Sequence, residues 1–93
     1  MNYKEYITEV PDFPKPGISF KDISPLLSDS VAFSQAITKM WELVDVPDYW
    51  VGIDSRGFIF ATALNSFSTW SHRGLKLIRK KGKLPPPVIS EEY

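Results

Sequence analysis

Two short apolar runs, Tyr49-Trp50-Val51-Gly52-Ile53 and Leu75-Lys76-Leu77-Ile78, each lead straight into a polar, glycine-bearing segment with positive charge. Asp54-Ser55-Arg56-Gly57 follows the first and Arg79-Lys80-Lys81-Gly82-Lys83 the second. Two strands joined by a helix-length connection lie parallel in one sheet, and parallel strands end on the same edge. Open α/β sheets bind their ligands at that edge. The pattern therefore predicts one βαβ unit over residues 49–78, with both cationic segments facing a single anion-binding pocket.

Tyr49 to Ile53 is aromatic and β-branched without clean alternation, which predicts a strand buried on both faces. Phe60, Ala63, Leu64 and Phe67 fall at i, i+3, i+4 and i+7 and predict a helix from Phe58 to about Phe67. A helix starting near Gly57 aims N–H groups and the positive end of its dipole at an anion, and glycine admits a close approach. Arg56 adds a cation able to bind two oxygens at once. Ser68 to Gly74 has no stable period and reads as a connection.

Upstream, Pro11, Pro14, Pro16, Gly17 and Pro25 exclude a long helix and predict an extended, turn-rich segment. Within it, Ile18 to Ile23 largely alternates, as in a short strand with Ile18, Phe20 and Asp22 on one side. Asp29 or Ser30 can cap a helix carrying Phe33, Ile37, Met40, Trp41 and Val44, which Pro47 ends through a turn at Asp45 to Asp48. Pro85-Pro86-Pro87 forces an extended path.

The 93 residues fit one small domain at most, with a marginal core that a partner chain would help to stabilise. Cysteine is absent, which excludes a disulfide framework and thiolate chemistry. Met1 to Tyr6 lacks the apolar core of a signal peptide and no run approaches the length of a membrane span, so the expected compartment is the cytoplasm, with no membrane partner. His72 is the only histidine and cannot define a metal site, so no metal-ligating residues are expected.

Net charge is zero but unevenly spread. Residues 1–55 hold nine acidic and four basic side chains, whereas residues 56–90 hold seven basic and none acidic. A one-sided cationic stretch attracts phosphate, nucleic acid or an acidic surface, and a solvated lysine-rich loop gives the same signal. Only Phe67 and Trp70 lie close before the basic cluster and no nucleic-acid module surrounds it, so no nucleic-acid partner is expected.

Gly52-Ile53-Asp54-Ser55-Arg56-Gly57-Phe58-Ile59-Phe60 and Ile78-Arg79-Lys80-Lys81-Gly82-Lys83-Leu84-Pro85 together resemble the adenine phosphoribosyltransferases. Phe13-Pro14-Lys15-Pro16-Gly17-Ile18 and Phe20-Lys21-Asp22-Ile23-Ser24-Pro25-Leu26-Leu27 extend the resemblance over most of the chain, from about Pro11 to Tyr93. It implies an α/β fold: the first βαβ unit of a parallel-sheet phosphoribosyltransferase core, behind an amino-terminal hood. Residues 1–33 would form the hood and base-binding segment and 34–93 the first part of the core, a single incomplete domain overall. The family's later Asp-Asp pair leading into Ala-Thr-Gly-Gly-Thr does not occur here, so the carboxyl-terminal half is expected to be absent and these 93 residues to be inactive alone.

The resemblance also assigns roles. Asp54, Ser55, Arg56 and Gly57, in a loop whose peptide is often cis, would cradle pyrophosphate together with Arg79, Lys80 and Lys83. Arg56 and Arg79 would act in catalysis by stabilising this leaving group, while Lys81 occupies a more variable position. Phe20 would stack on adenine, with Ser19 and Lys21 contributing backbone contacts. Without the resemblance, Phe20 reads more readily as a core residue. The implied reaction takes adenine and phosphoribosyl pyrophosphate to AMP and pyrophosphate in purine salvage, with Mg²⁺ bound mainly through substrate phosphates and a homodimer as the working form. A phosphoribosyltransferase for another purine, or a non-catalytic module keeping pyrophosphate affinity, are the alternatives. Ala61 stands where the family commonly has glycine.

Overall fold

The computed structural model describes residues 1–68 and 72–90, and the chain divides into two compact units, Met1–Glu42 and Leu43–Tyr93. The expected hood boundary after residue 33 falls inside a helix, and the first unit runs on to Glu42 because that helix packs with the elements before it.

The first unit opens with a 3-10 turn at Tyr3–Tyr6, where the Asn2 side chain accepts a hydrogen bond from the Lys4 amide at 3.1 Å. Strands β1 (Thr8–Val10) and β2 (Phe20–Asp22) then pair antiparallel, with Glu9 opposite Lys21 and Val10 opposite Phe20. Their connection is shaped by a turn in which the Ile18 amide donates to the Lys15 carbonyl at 3.2 Å. Pro16 and Gly17, the latter at φ +87°, occupy the central positions, as a type II turn requires. The alternating stretch expected from Ile18 is thus a strand only from Phe20, and Ile18 lies in the turn, exposed.

Pro25 does not break the chain here. It sits in the first turn of a short helix, α1 (Ser24–Ser28), where its missing N–H would have had no intrahelical partner. Helix α2 (Ser30–Glu42) follows after Asp29, whose Oδ1 accepts from the Ala32 amide at 2.9 Å as a helix cap does. Its buried stripe is Ala32, Ala36 and Ile37, rotated from the expected one. Met40 is exposed, and Val44 lies beyond the end of the helix.

The second unit contains β3 (Trp50–Ile53), α3 (Arg56–Asn65) and β4 (Leu75–Ile78). The strands are parallel, Trp50 opposite Leu75 and Ile53 opposite Ile78, so the βαβ unit expected from the sequence is present. Helix α3 starts two residues earlier than the apolar spacing suggested and ends at Asn65, leaving Phe67 outside and partly exposed. Strand β3 is not buried on both faces: Trp50 and Gly52 are covered, whereas Val51 and Ile53 are about half exposed, at 52% and 51%. Gly52 lets α3 lie directly on the strand, since a Cβ there would stand 2.8 Å from the Gly57 carbonyl oxygen and 3.2 Å from Ala61 Cβ.

The connection read at Ser68 to Gly74 includes residues 69–71, with Trp70, which lie outside the described residues, as do residues 91–93. Asn65, at the end of α3, fixes its return: Oδ1 accepts from the amides of Arg73 and Gly74 at 3.0 and 3.1 Å, just before β4 begins. Among the described residues no helix is long and apolar enough to cross a membrane.

Candidate functional site

Register decides which residues meet at the carboxyl edge of β3 and β4. Ile53 pairs with Ile78, so the next residue on each strand, Asp54 and Arg79, leave the sheet side by side. The ladder continues one step further, with the Asp54 amide donating to the Ile78 carbonyl at 2.8 Å. Beyond it the Asp54–Ser55 peptide is cis, the isomer often found at this position in the family the sequence resembles. Ser55 precedes the helix without capping it through its side chain, and Arg56 and Gly57 form its first turn. Arg56 is exposed.

The second cationic segment is a turn in its own right. The Lys83 amide donates to the Lys80 carbonyl at 3.1 Å, and Gly82 at φ +87° takes the third position, which favours glycine. Lys80, Lys81 and Lys83 are exposed, and Arg79 is partly covered. Of the residues expected to hold pyrophosphate, Asp54, Ser55, Arg56 and Gly57 thus form the strand-to-helix turn, and Arg79, Lys80 and Lys83 the turn after the neighbouring strand.

The Asp54 carboxylate is engaged with that second turn. Oδ2 accepts from the Lys80 amide at 3.1 Å and from Arg79 Nε at 3.4 Å. The guanidinium carbon of Arg79 also lies 5.4 Å from the ring centre of Phe58, in the first turns of α3. The Lys80 amide, and after it Arg79, holds the Asp54 carboxyl below its ordinary range despite an opposing effect of desolvation. Asp54 is accordingly ionised at neutral pH. Sequence reading found the residue but not this pairing, which was legible only through the register of strands 25 positions apart in the chain.

In the first unit, Ser19, Phe20 and Lys21 divide between two sides of the hairpin. Ser19 Oγ donates to Glu9 Oε1 at 2.6 Å, and Lys21 Nζ lies 2.9 Å from Glu9 Oε2 and 3.2 Å from Ser19 Oγ. The Ser19 bond, then Lys21, lowers the Glu9 carboxyl from its ordinary value. Phe20 alternates to the other side, half-buried, its ring 5.3 Å from that of Phe13 and nearly perpendicular at 75°. Glu9 and Phe13 are partners that sequence reading missed; the pairing of Glu9 with Lys21 follows from the hairpin register.

Among the described residues no group of three or more His, Cys, Asp or Glu side chains gathers to hold a metal ion. The acidic side chain at the sheet edge, Asp54, already accepts from Arg79 and Lys80.

No family model matches the chain. Whole proteins do. An adenine phosphoribosyltransferase of Polynucleobacter necessarius subsp. necessarius is 50% identical over 95 residues, an alignment covering all of this chain and 54% of that protein. Among solved structures, the adenine phosphoribosyltransferase of Thermoanaerobacter pseudethanolicus superposes with a TM-score of 0.80 at 40% identity, over 98% of this chain and 54% of its own. That of Saccharomyces cerevisiae, complexed with adenine and an imino-altritol bisphosphate, gives 0.68 at 30% identity, over 91% and 52%. The chain spans about half the length of the curated relatives it matches.

Proposed function

Since the chain is related along its whole length to adenine phosphoribosyltransferases, we propose that the protein carrying it transfers the phosphoribosyl group of phosphoribosyl pyrophosphate to adenine, yielding AMP and pyrophosphate in purine salvage. The observation that carries this reading is the meeting of two cationic, glycine-bearing turns, Asp54–Gly57 and Arg79–Lys83, at one edge of a parallel strand pair.

Breaking the bond between the anomeric carbon and pyrophosphate moves negative charge onto the leaving group. Cations and N–H groups already fixed there stabilise that charge without reorganising as it grows. Arg56 opens α3, and its guanidinium with the first N–H groups of the helix suits one end of the pyrophosphate. Arg79, Lys80 and Lys83 supply positive charge from the neighbouring turn. Phe20 offers a ring face to a purine, with the backbone of Ser19 and Lys21 reading its edge.

Mg²⁺ enters this reading as a partner of the substrate's phosphate oxygens. Cytoplasmic location and a homodimeric working form belong to the same proposal.

The test is turnover by the complete gene product with phosphoribosyl pyrophosphate, Mg²⁺ and each purine base in turn. Formation of AMP and pyrophosphate with adenine preferred supports the proposal. Preference for hypoxanthine, guanine or xanthine moves the protein to a sibling activity. Pyrophosphate binding without turnover of any base makes it a non-catalytic module.

A further inference from the structure

Resting on that functional reading, we propose that Asp54 is a positioning residue: its carboxylate latches the Arg79–Lys83 turn to the end of β3 and presents the Arg79 guanidinium to pyrophosphate, without itself touching phosphate.

Three observations carry this. Strand register brings Asp54 and Arg79 out of the sheet side by side, at the edge both cationic turns share. One oxygen, Asp54 Oδ2, takes both the backbone of the turn, through Lys80 N–H at 3.1 Å, and its leading side chain, through Arg79 Nε at 3.4 Å. The Asp54 side chain is 12% exposed and that of Arg79 32%, so the carboxylate is the more covered of the two partners and Arg79 keeps more of its surface open.

The chemistry sorts the roles. An ionised carboxylate beside a pyrophosphate is repelled by it, so a direct contact would weaken binding. Held through Nε, with Phe58 against the guanidinium, Arg79 keeps its two terminal NH₂ groups, which form no other hydrogen bond among the described residues. Those are the groups a bridging pair of phosphate oxygens would engage. A lysine-rich, glycine-bearing turn that is otherwise exposed loses much conformational freedom on binding an anion. A latch that orders it beforehand reduces that loss.

The experiment is a double-mutant cycle on the complete gene product, with Asp54→Asn, Asp54→Ala, Arg79→Ala and Asp54→Asn with Arg79→Ala. Affinity for magnesium pyrophosphate is read by calorimetry, KM for both substrates and kcat by turnover, and Lys80 amide exchange by NMR. Circular dichroism confirms that each variant is folded, and Asp54→Asn keeps shape and one acceptor oxygen should Asp54→Ala fail to fold.

Asp54→Asn is expected to weaken pyrophosphate and raise the KM for phosphoribosyl pyrophosphate by roughly three- to tenfold while leaving the KM for adenine within about twofold. It should add little once Arg79 is already alanine, and Asp54→Ala should speed exchange of the Lys80 amide. Effects of Asp54→Asn and Arg79→Ala that simply add, or wild-type pyrophosphate affinity in Asp54→Asn, overturn the latch while leaving the functional reading intact. A wild-type protein that binds neither pyrophosphate nor phosphoribosyl pyrophosphate overturns the functional reading and the presentation of Arg79 together.

Discussion

Gly52 lies against Gly57 so closely that a side chain on either could not be accommodated equally: a Cβ on Gly52 would stand 2.8 Å from the Gly57 carbonyl oxygen, whereas one on Gly57 would meet nothing nearer than 3.4 Å. The asymmetry identifies Gly52 as the point where the strand carries the helix. Contact this close sets where α3 begins, and so where Arg56 and the first N–H groups of the helix lie.

Gly52→Ala should therefore destabilise the protein by about 1 to 3 kcal/mol, the usual cost of forcing a methyl group into filled space against backbone. Gly57→Ala should be milder. Urea denaturation of both variants checks this, and a Gly52→Ala midpoint equal to wild type would mean that α3 can shift outward without penalty.

Asn65→Ala should cost about 1 to 3 kcal/mol, because it leaves two neighbouring amides, Arg73 and Gly74, without their shared acceptor. Asn65→Asp should retain most of the stability, as the carboxylate can accept both bonds. Faster hydrogen exchange at those two amides in Asn65→Ala is the direct readout.

Much of the second unit was legible from sequence because its signals are local and repeated. Two apolar runs, a helical period between them and a glycine after each strand agree on one topology, and the structure has it. Local signals were weaker upstream. Strand β1 has three residues with a single half-buried side chain, Val10, and shows its nature only when β2 is beside it. Pro25 read as a breaker, although proline fits the first turn of a helix.

The helix α2 period was visible but its phase was not, because alanines at 32 and 36 carry little hydrophobic weight in a sequence and yet allow the closest packing. Asp54 stood out as part of a motif, while its partnership with Arg79 and Lys80 required knowing that Ile53 faces Ile78.

Ser19→Ala should raise the Glu9 carboxyl back toward its ordinary value, since the Ser19 hydroxyl is the largest cause of its lowering and Lys21 the next. The sign for stability follows from linkage. A carboxyl held low in the folded state favours folding fully above the ordinary glutamate range, and that contribution disappears as pH falls through the lowered value. The acid limb of stability should thus flatten in Ser19→Ala and more in Glu9→Gln. An NMR titration of Glu9 checks the first step, and an unmoved midpoint would refute the Ser19 assignment.

Phe20→Ala should raise the KM for adenine several-fold more than that for phosphoribosyl pyrophosphate, because under the proposed function the ring meets the base alone. Stacking on an aromatic face contributes about 0.5 to 1.5 kcal/mol beyond the area it buries, which sets the scale at roughly two- to tenfold. Phe20→Tyr keeps the face and should be mild. Phe13 provides a control, since it touches Phe20 edge-on at 5.3 Å and is itself half exposed. Phe13→Ala should loosen Phe20 and raise the KM for adenine less than removing Phe20 does. Steady-state kinetics of the three variants in the complete gene product, with thermal melts alongside, separate the roles. A strong loss of melting temperature in Phe20→Ala with both KM values unchanged would make Phe20 a packing residue of the hairpin and move the base elsewhere.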